Sequence, residues 1–152
     1  MTAQDFRLEY GYHSTWLAQV LAVFNKTAMK RGPELADKVD RAFHHSQVVA
    51  SLWQGDQLVA FGRMLTDFDL YSAIFDVVVD PAFQRRHLGC RIIAALTDKA
   101  PDSCVHLTAT FGNEAFYHQQ GFRYHKTAMA RYPARLAHSP YLDHDRTPPC
   151  TR

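Results

Sequence analysis

The residues predict an α/β domain in which strands and helices share one core, and three observations carry that prediction. Ile74 to Val79 is rich in β-branched residues with almost no alternation, the pattern of a strand covered on both faces. Val48 to Trp53 and Leu58 to Leu65 change side with period two around Gln54-Gly55-Asp56-Gln57, where Gly-Asp suits a two-residue hairpin turn. Apolar residues recur at helical spacing in several further stretches, so helices are interleaved with the strands.

In chain order, Asp5 to Glu9 is expected as a first strand with Phe6 and Leu8 on one side. Ser14 or Thr15 is placed to cap a helix carrying Leu17, Val20, Leu21, Phe24 and Ala28. Gly32-Pro33 interrupts this pattern, and Pro33 suits the first turn of a second helix whose core face is Leu35, Val39, Ala42 and Phe43. The hairpin follows, then a polar loop from Thr66 to Tyr71. The central strand is stopped by Asp80-Pro81. A helix from Leu88 carries Leu88, Ile92 and Leu96 on one line, with Gly89, Ile93 and Ala100 beside it, and ends before Pro101. Cys104 to Thr110 alternates as a strand. Asn113 and Glu114 suit the start of another helix, Gly121 a left-handed stop, and Phe122 to Tyr132 a final strand. These elements make residues 1–132 one domain. Residues 133–152, with four prolines and few large aliphatic residues, are expected as a loosely packed tail.

Composition narrows the function. A chain of 152 residues, 47% hydrophobic and 21% charged, has the make-up of a globular domain that needs no staples. A net charge of +2 gives no reason to expect nucleic acid or an anionic membrane as a partner. Cys90, Cys104 and Cys150 are odd in number and have no paired spacing, which argues against a disulfide framework. No signal peptide and no membrane-spanning apolar run is read, so the expected location is cytoplasmic. Nine histidines invite a metal reading, but none stands with ligands at a recognisable spacing, and no metal is expected. Gly-Lys-Ser/Thr and Gly-x-Gly-x-x-Gly are both missing, which excludes a P-loop and a dinucleotide fingerprint.

The informative stretch is Phe75 to Ile93, where strand, short polar turn and helix follow directly. The first amides of a helix have no acceptor within it and sit at the positive end of the macrodipole. Gln84, Arg85 and Arg86 lead into those amides, a combination suited to a polyphosphate.

DVVVDPAFQRRHLGCRII, followed downstream by NEAFYHQQGF, resembles the two signature segments of the GNAT superfamily of acetyl-CoA-dependent N-acetyltransferases. Gln84 to Gly89 matches that family's Gln/Arg-x-x-Gly-x-Gly/Ala turn, and Asn113, Ala115, Phe116, Tyr117, Gly121 and Phe122 match its second segment. One departure stands out: His87 occupies the place of the first turn glycine. The resemblance implies a mixed, mostly antiparallel central sheet with helices on both faces, open between the Ile74 strand and the Cys104 strand. It further implies that main-chain groups of Val77, Val78 and Val79 meet the pantetheine arm of acetyl-CoA. Amides of Arg85, Arg86, His87, Leu88, Gly89 and Cys90 would hold its pyrophosphate, and Asn113 would lie near the arm or serve as a plain helix cap.

The implied reaction moves an acetyl group to a primary amine by direct attack. The amine is a small molecule or a protein amino group, and a homodimer is compatible with the reading. An alkylamine is mostly protonated at neutral pH, and freeing its lone pair costs about 4–5 kcal/mol. A base or a water path is therefore required. The leaving thiolate gains from a proton donor, and Tyr117 matches the family's tyrosine in that role. Asp76 on the central strand is the candidate base, with His106 and His118 as routes through water. The alternative is a CoA-binding sensor or partner module without turnover, favoured by His87 and by the lack of a clear base.

Overall fold

The computed structural model describes residues 5–149. Five strands, β1 (Arg7–Tyr10), β2 (Val48–Gln54), β3 (Gln57–Thr66), β4 (Tyr71–Val79) and β5 (Cys104–Leu107), form one sheet in sequence order. The first four pair antiparallel, whereas β5 runs parallel to β4. The helices are α1 (Leu17–Asn25), α2 (Ala36–His44), α3 (Leu88–Thr97) and α4 (Glu114–Gln119). This is the mixed, mostly antiparallel α/β architecture that the sequence predicts.

Two apolar layers cover the sheet. On one face Ala50, Leu52, Ala60, Met64 and Ile74 pack against Leu88, Ile92, Ile93 and Leu96 of α3. On the other face Val49, Trp53, Phe61 and Val78 pack against Val20, Val23 and Phe24 of α1 and Val39 and Phe43 of α2. Gly62 sits where α3 crosses β3: a Cβ there would lie 2.6 Å from Ile92 Cγ2, so a side chain would lift the helix from the sheet.

The central strand is irregular in a way that matters for the site. Phe61 pairs with Val78, but Arg63 pairs with Phe75, so β4 carries one residue more than β3 in this interval. Asp76 takes a left-handed conformation, φ +55°, within the bulge. The extra residue reverses the parity of the strand: Ile74, Val77 and Val79 pack toward α3, and Val78 toward α1. The lack of alternation in the sequence thus has two sources, burial on both faces and a bulge.

Several boundaries and caps differ from expectation. The first strand is Arg7–Tyr10, and β5 ends at Leu107 rather than Thr110. Ser14 belongs to a 3-10 turn, Ser14–Trp16, and does not cap α1; its hydroxyl donates to Asp40 Oδ2 at 3.1 Å and lies 2.7 Å from His44 Nε2. Phe122 to Tyr132 is not a strand. Between its partly buried ends, Phe122 and Tyr132, every residue is exposed, so the segment has no apolar face with which to repay pairing. The hairpin turn stands as read, with Gln54 opposite Gln57 and Gly55 at φ +58°. Beyond residue 132 the chain is mostly exposed, with a 3-10 turn at Ala134–Leu136. No helix among the described residues is long and apolar enough to cross a membrane.

Candidate active site

The site begins where β4 and β5 part. Their ladder runs from Tyr71–Cys104 to Ile74–Leu107 and stops, while β4 continues to Val79. On its other side β4 remains paired to β3 through Val78 and Val79. Among the described residues, the edge of Phe75 to Val79 that faces β5 therefore has no strand beside it. Asp80 ends β4 and is almost completely buried, at 1% exposure. Its Oδ1 accepts from the Ala82 amide at 3.0 Å, and its Oδ2 from Lys26 Nζ at 2.6 Å, which ties the end of α1 to the turn.

The turn then delivers α3 with its first amides pointing at the gap. The first bond in the helix runs from the Arg91 amide to the His87 carbonyl at 3.1 Å, so the amides of Leu88, Gly89 and Cys90 have no acceptor within α3. Arg85 and His87 both take left-handed conformations, φ +62° and +59°. Alternation of this kind turns successive N–H groups inward as an anion nest. His87 thus adopts the backbone shape that the family's glycine would supply, and its side chain is exposed. Gly89 answers a different need, because a Cβ there would meet the Phe116 ring at 3.1 Å; its absence lets α4 lie against α3.

A cleft of about 760 Å³ opens between β4, this turn and α4. Val77, Val78, Val79, Gln84, Arg85, His87, Leu88, Gly89, Cys90, Asn113 and Tyr117 all line it. Two expected residues do not. The Arg86 guanidinium lies over the Phe83 ring, 5.5 Å from its centroid, and Asp76 is turned away. Asp76 Oδ2 accepts from Arg63 Nε at 2.7 Å and Oδ1 from Arg31 Nη2 at 3.1 Å, so each oxygen already holds a guanidinium. Asn113 stands at the start of α4 without capping it; its Nδ2 donates to Thr110 Oγ1 at 2.5 Å. One wall was missed in the sequence: Lys26, Thr27, Ala28 and Met29, in the connection after α1, also line the cleft. Nothing local in that stretch signals a site.

A second cavity, about 1410 Å³, wraps the outer edge of β5 and reaches α4 and the segment after it. Tyr71, Phe75, His106, Phe111, Glu114, His118 and Tyr124 are among its lining residues, and Tyr141 from the tail stacks on Phe111 with centroids 4.5 Å apart. Tyr117 lines both cavities. Its ring packs edge-on against Phe116 and Phe122, and burial pushes its phenol up from the ordinary tyrosine value. A phenol so placed keeps its proton at neutral pH.

A model of the acetyltransferase (GNAT) family matches residues 16–122, most of the chain and every residue that lines the cleft between β4 and α4. The chain belongs to the GNAT family. Solved structures share the fold. A GNAT-family acetyltransferase from Streptococcus pneumoniae is 23% identical, with a TM-score of 0.71 over 86% of this chain and 99% of the other. An acetyltransferase from Trypanosoma brucei is 22% identical, with a TM-score of 0.66 over 85% and 100%. The glucosamine-6-phosphate N-acetyltransferase of Arabidopsis thaliana is 18% identical, with a TM-score of 0.66 over 84% and 98%. At these identities the likeness is one of fold. No curated protein sequence matches this GNAT chain. Membership implies acetyl transfer, and GNAT proteins generally use acetyl-CoA. The donor set fits that molecule: unpaired amides at the start of α3 suit a pyrophosphate, and an unpaired strand edge leads from them to Tyr117. Among the described residues no group of three or more His, Cys, Asp or Glu is arranged to hold a metal ion.

Proposed function

We propose that the protein is an N-acetyltransferase that carries an acetyl group from acetyl-CoA, held in the β4–α3 cleft, directly to a primary amine entering from the cavity beside β5. The observation that carries this reading is the place of Tyr117, which lines both cavities and whose phenol, an acid protonated at neutral pH, is pushed further up by burial. Acetyl-CoA supplies an acetyl group already activated as a thioester.

The chain's own residues do the rest. The amides of Arg85 and of His87 to Cys90 receive the pyrophosphate, where the macrodipole of α3 adds to their attraction. Main-chain groups of Val77 to Val79 pair with the pantetheine arm as a strand would, and Asn113 borders the same path. Tyr117 donates its proton to the departing sulfur. Asp76 holds the bulge rather than receiving the amine's proton, because a proton accepted there would break one of two charge-assisted hydrogen bonds. Residues 1–132 carry all of this machinery, in a reducing compartment that keeps the thiols of Cys90 and Cys104 free.

Calorimetry with acetyl-CoA tests the reading. Micromolar affinity, about −8 kcal/mol, is expected, with a rise in melting temperature that grows with ligand concentration. No heat and no shift at saturating acetyl-CoA would overturn it.

A further inference from the structure

One face of α4 lines the larger cavity with an acid, a phenol and an imidazole. Glu114, Tyr117 and His118 stand at positions i, i+3 and i+4, and all three line it. Residues at this spacing are neighbours on a helix, with Cβ atoms about 5–6 Å apart. Glu114 is partly buried, and its carboxylate makes no hydrogen bond or ion pair with any described residue. The remaining carboxylate near the reaction path, Asp76, is held by two arginines. Four aromatic residues line the same cavity: Tyr71 and Phe111, 61% and 64% exposed, with Phe75 and Tyr124.

From this geometry we propose that Glu114 receives the acceptor's ammonium group and takes its proton, and that the acceptor is a primary amine on an aromatic body. The inference rests on the reading that the cavity beside β5 is the acceptor's entrance. An ammonium arriving at neutral pH is drawn by a carboxylate that has no competing partner among the described residues, and aromatic faces add cation–π attraction and apolar contact. His118 and His106 are exposed and offer an incoming cation no fixed opposite charge. The size of the cavity, above the usual range of about 300–1,000 Å³, suits a bulky body better than a short alkyl chain.

The proton and electron count closes. An ammonium N–H bond breaks, an O–H bond forms on Glu114, and the electron pair left on nitrogen forms the new C–N bond. The pair of the broken C–S bond leaves with sulfur, which takes the Tyr117 proton. A second proton shed by nitrogen as the amide forms restores Tyr117, and Glu114 returns its own to water. One proton is released for each acetyl group moved.

The test is calorimetry on CoA-saturated protein with 2-phenylethylamine, 2-phenylethanol and propylamine, comparing the parent with Glu114→Gln and Glu114→Asp. In the parent, the arylalkylamine is expected to bind about tenfold more tightly than either comparison ligand, the order of effect of one ion pair or one apolar face. Glu114→Gln should lose the preference over the alcohol while binding CoA as the parent does, and Glu114→Asp should recover part of it. With the same amine, Glu114→Gln should lower kcat/KM by about 10²-fold. Unchanged amine affinity in Glu114→Gln, or a parent that binds the alcohol as well as the amine, would overturn the role of Glu114. Equal binding of propylamine would overturn the aromatic body. A parent that binds no CoA would instead sink the acetyltransferase reading itself.

Discussion

Arg31, in the connection after α1, reaches across to Asp76 on the bulge of β4, with Nη2 and Oδ1 3.1 Å apart. Its guanidinium also lies over the Phe24 ring at 4.9 Å and donates to the carbonyls of Met29 and Lys30. The residue thereby fastens the Lys26 to Met29 wall of the cofactor cleft to the strand whose edge faces that cleft. Asp76→Asn should cost on the order of 3 kcal/mol at most, because two partly buried guanidiniums would lose their counter-charge. Urea unfolding measures this, and CoA affinity should fall together with stability. If Asp76 were instead the proton acceptor, the variant would lose kcat at unchanged CoA affinity.

His87 holds a left-handed conformation that costs an L-residue about 1–2 kcal/mol, whereas glycine takes it freely. His87→Gly should therefore be as stable as the parent or more so, by up to about 1 kcal/mol once the greater entropy of the unfolded glycine chain is counted. Since the ring is exposed, the variant should also bind CoA at least as tightly at every pH from about 5.5 to 8, where imidazoles titrate. An affinity that rises toward low pH in the parent and not in the variant would reveal a contact between imidazolium and pyrophosphate.

Asp67 closes the loop ahead of β4. Its Oδ1 accepts from the amides of Tyr71 at 3.0 Å, Asp69 at 2.9 Å and Leu70 at 2.7 Å, and these bonds, that of Tyr71 first, hold its carboxyl below the usual aspartate range. A folded value below the unfolded one adds stability that is fully present above the unfolded pKa, about 3.9, and is lost as pH falls toward the folded value. Melting curves from about pH 7 to 3 should show the parent losing this increment at the acid end, while Asp67→Asn starts lower and falls less. Parallel acid limbs would contradict the assignment.

What could be read from the chain was local, and what could not was brought together by folding. The start of α3 was legible because strand, stop and helix follow within twenty residues, and its anion-binding amides depend on the helix start more than on any side chain. The ion pairs of Asp76 join residues 45 and 13 positions apart in sequence, so no spacing rule reveals them. The same holds for Lys26 and Asp80, 54 positions apart. Ser14 has the chemistry of a cap, but His44 and Asp40 compete for its hydroxyl. Phe122 to Tyr132 carries aromatic residues that mimic a strand, yet a strand needs a partner and an apolar face, and the large cavity separates this segment from β5. Glu114 was legible only as a favourable charge at a helix start; its place beside Tyr117 in that cavity appears once α4 is set against β5.

The most direct test of the account is Tyr117→Phe, assayed for acetyl transfer and, in parallel, for CoA binding. The substitution removes one hydroxyl from a ring that packs on Phe116 and Phe122, so fold and cofactor affinity should be kept. A fall in kcat of about 10²-fold or more is expected, with a CoA dissociation constant within about twofold of the parent. A Phe variant that turns over as fast as the parent would contradict it.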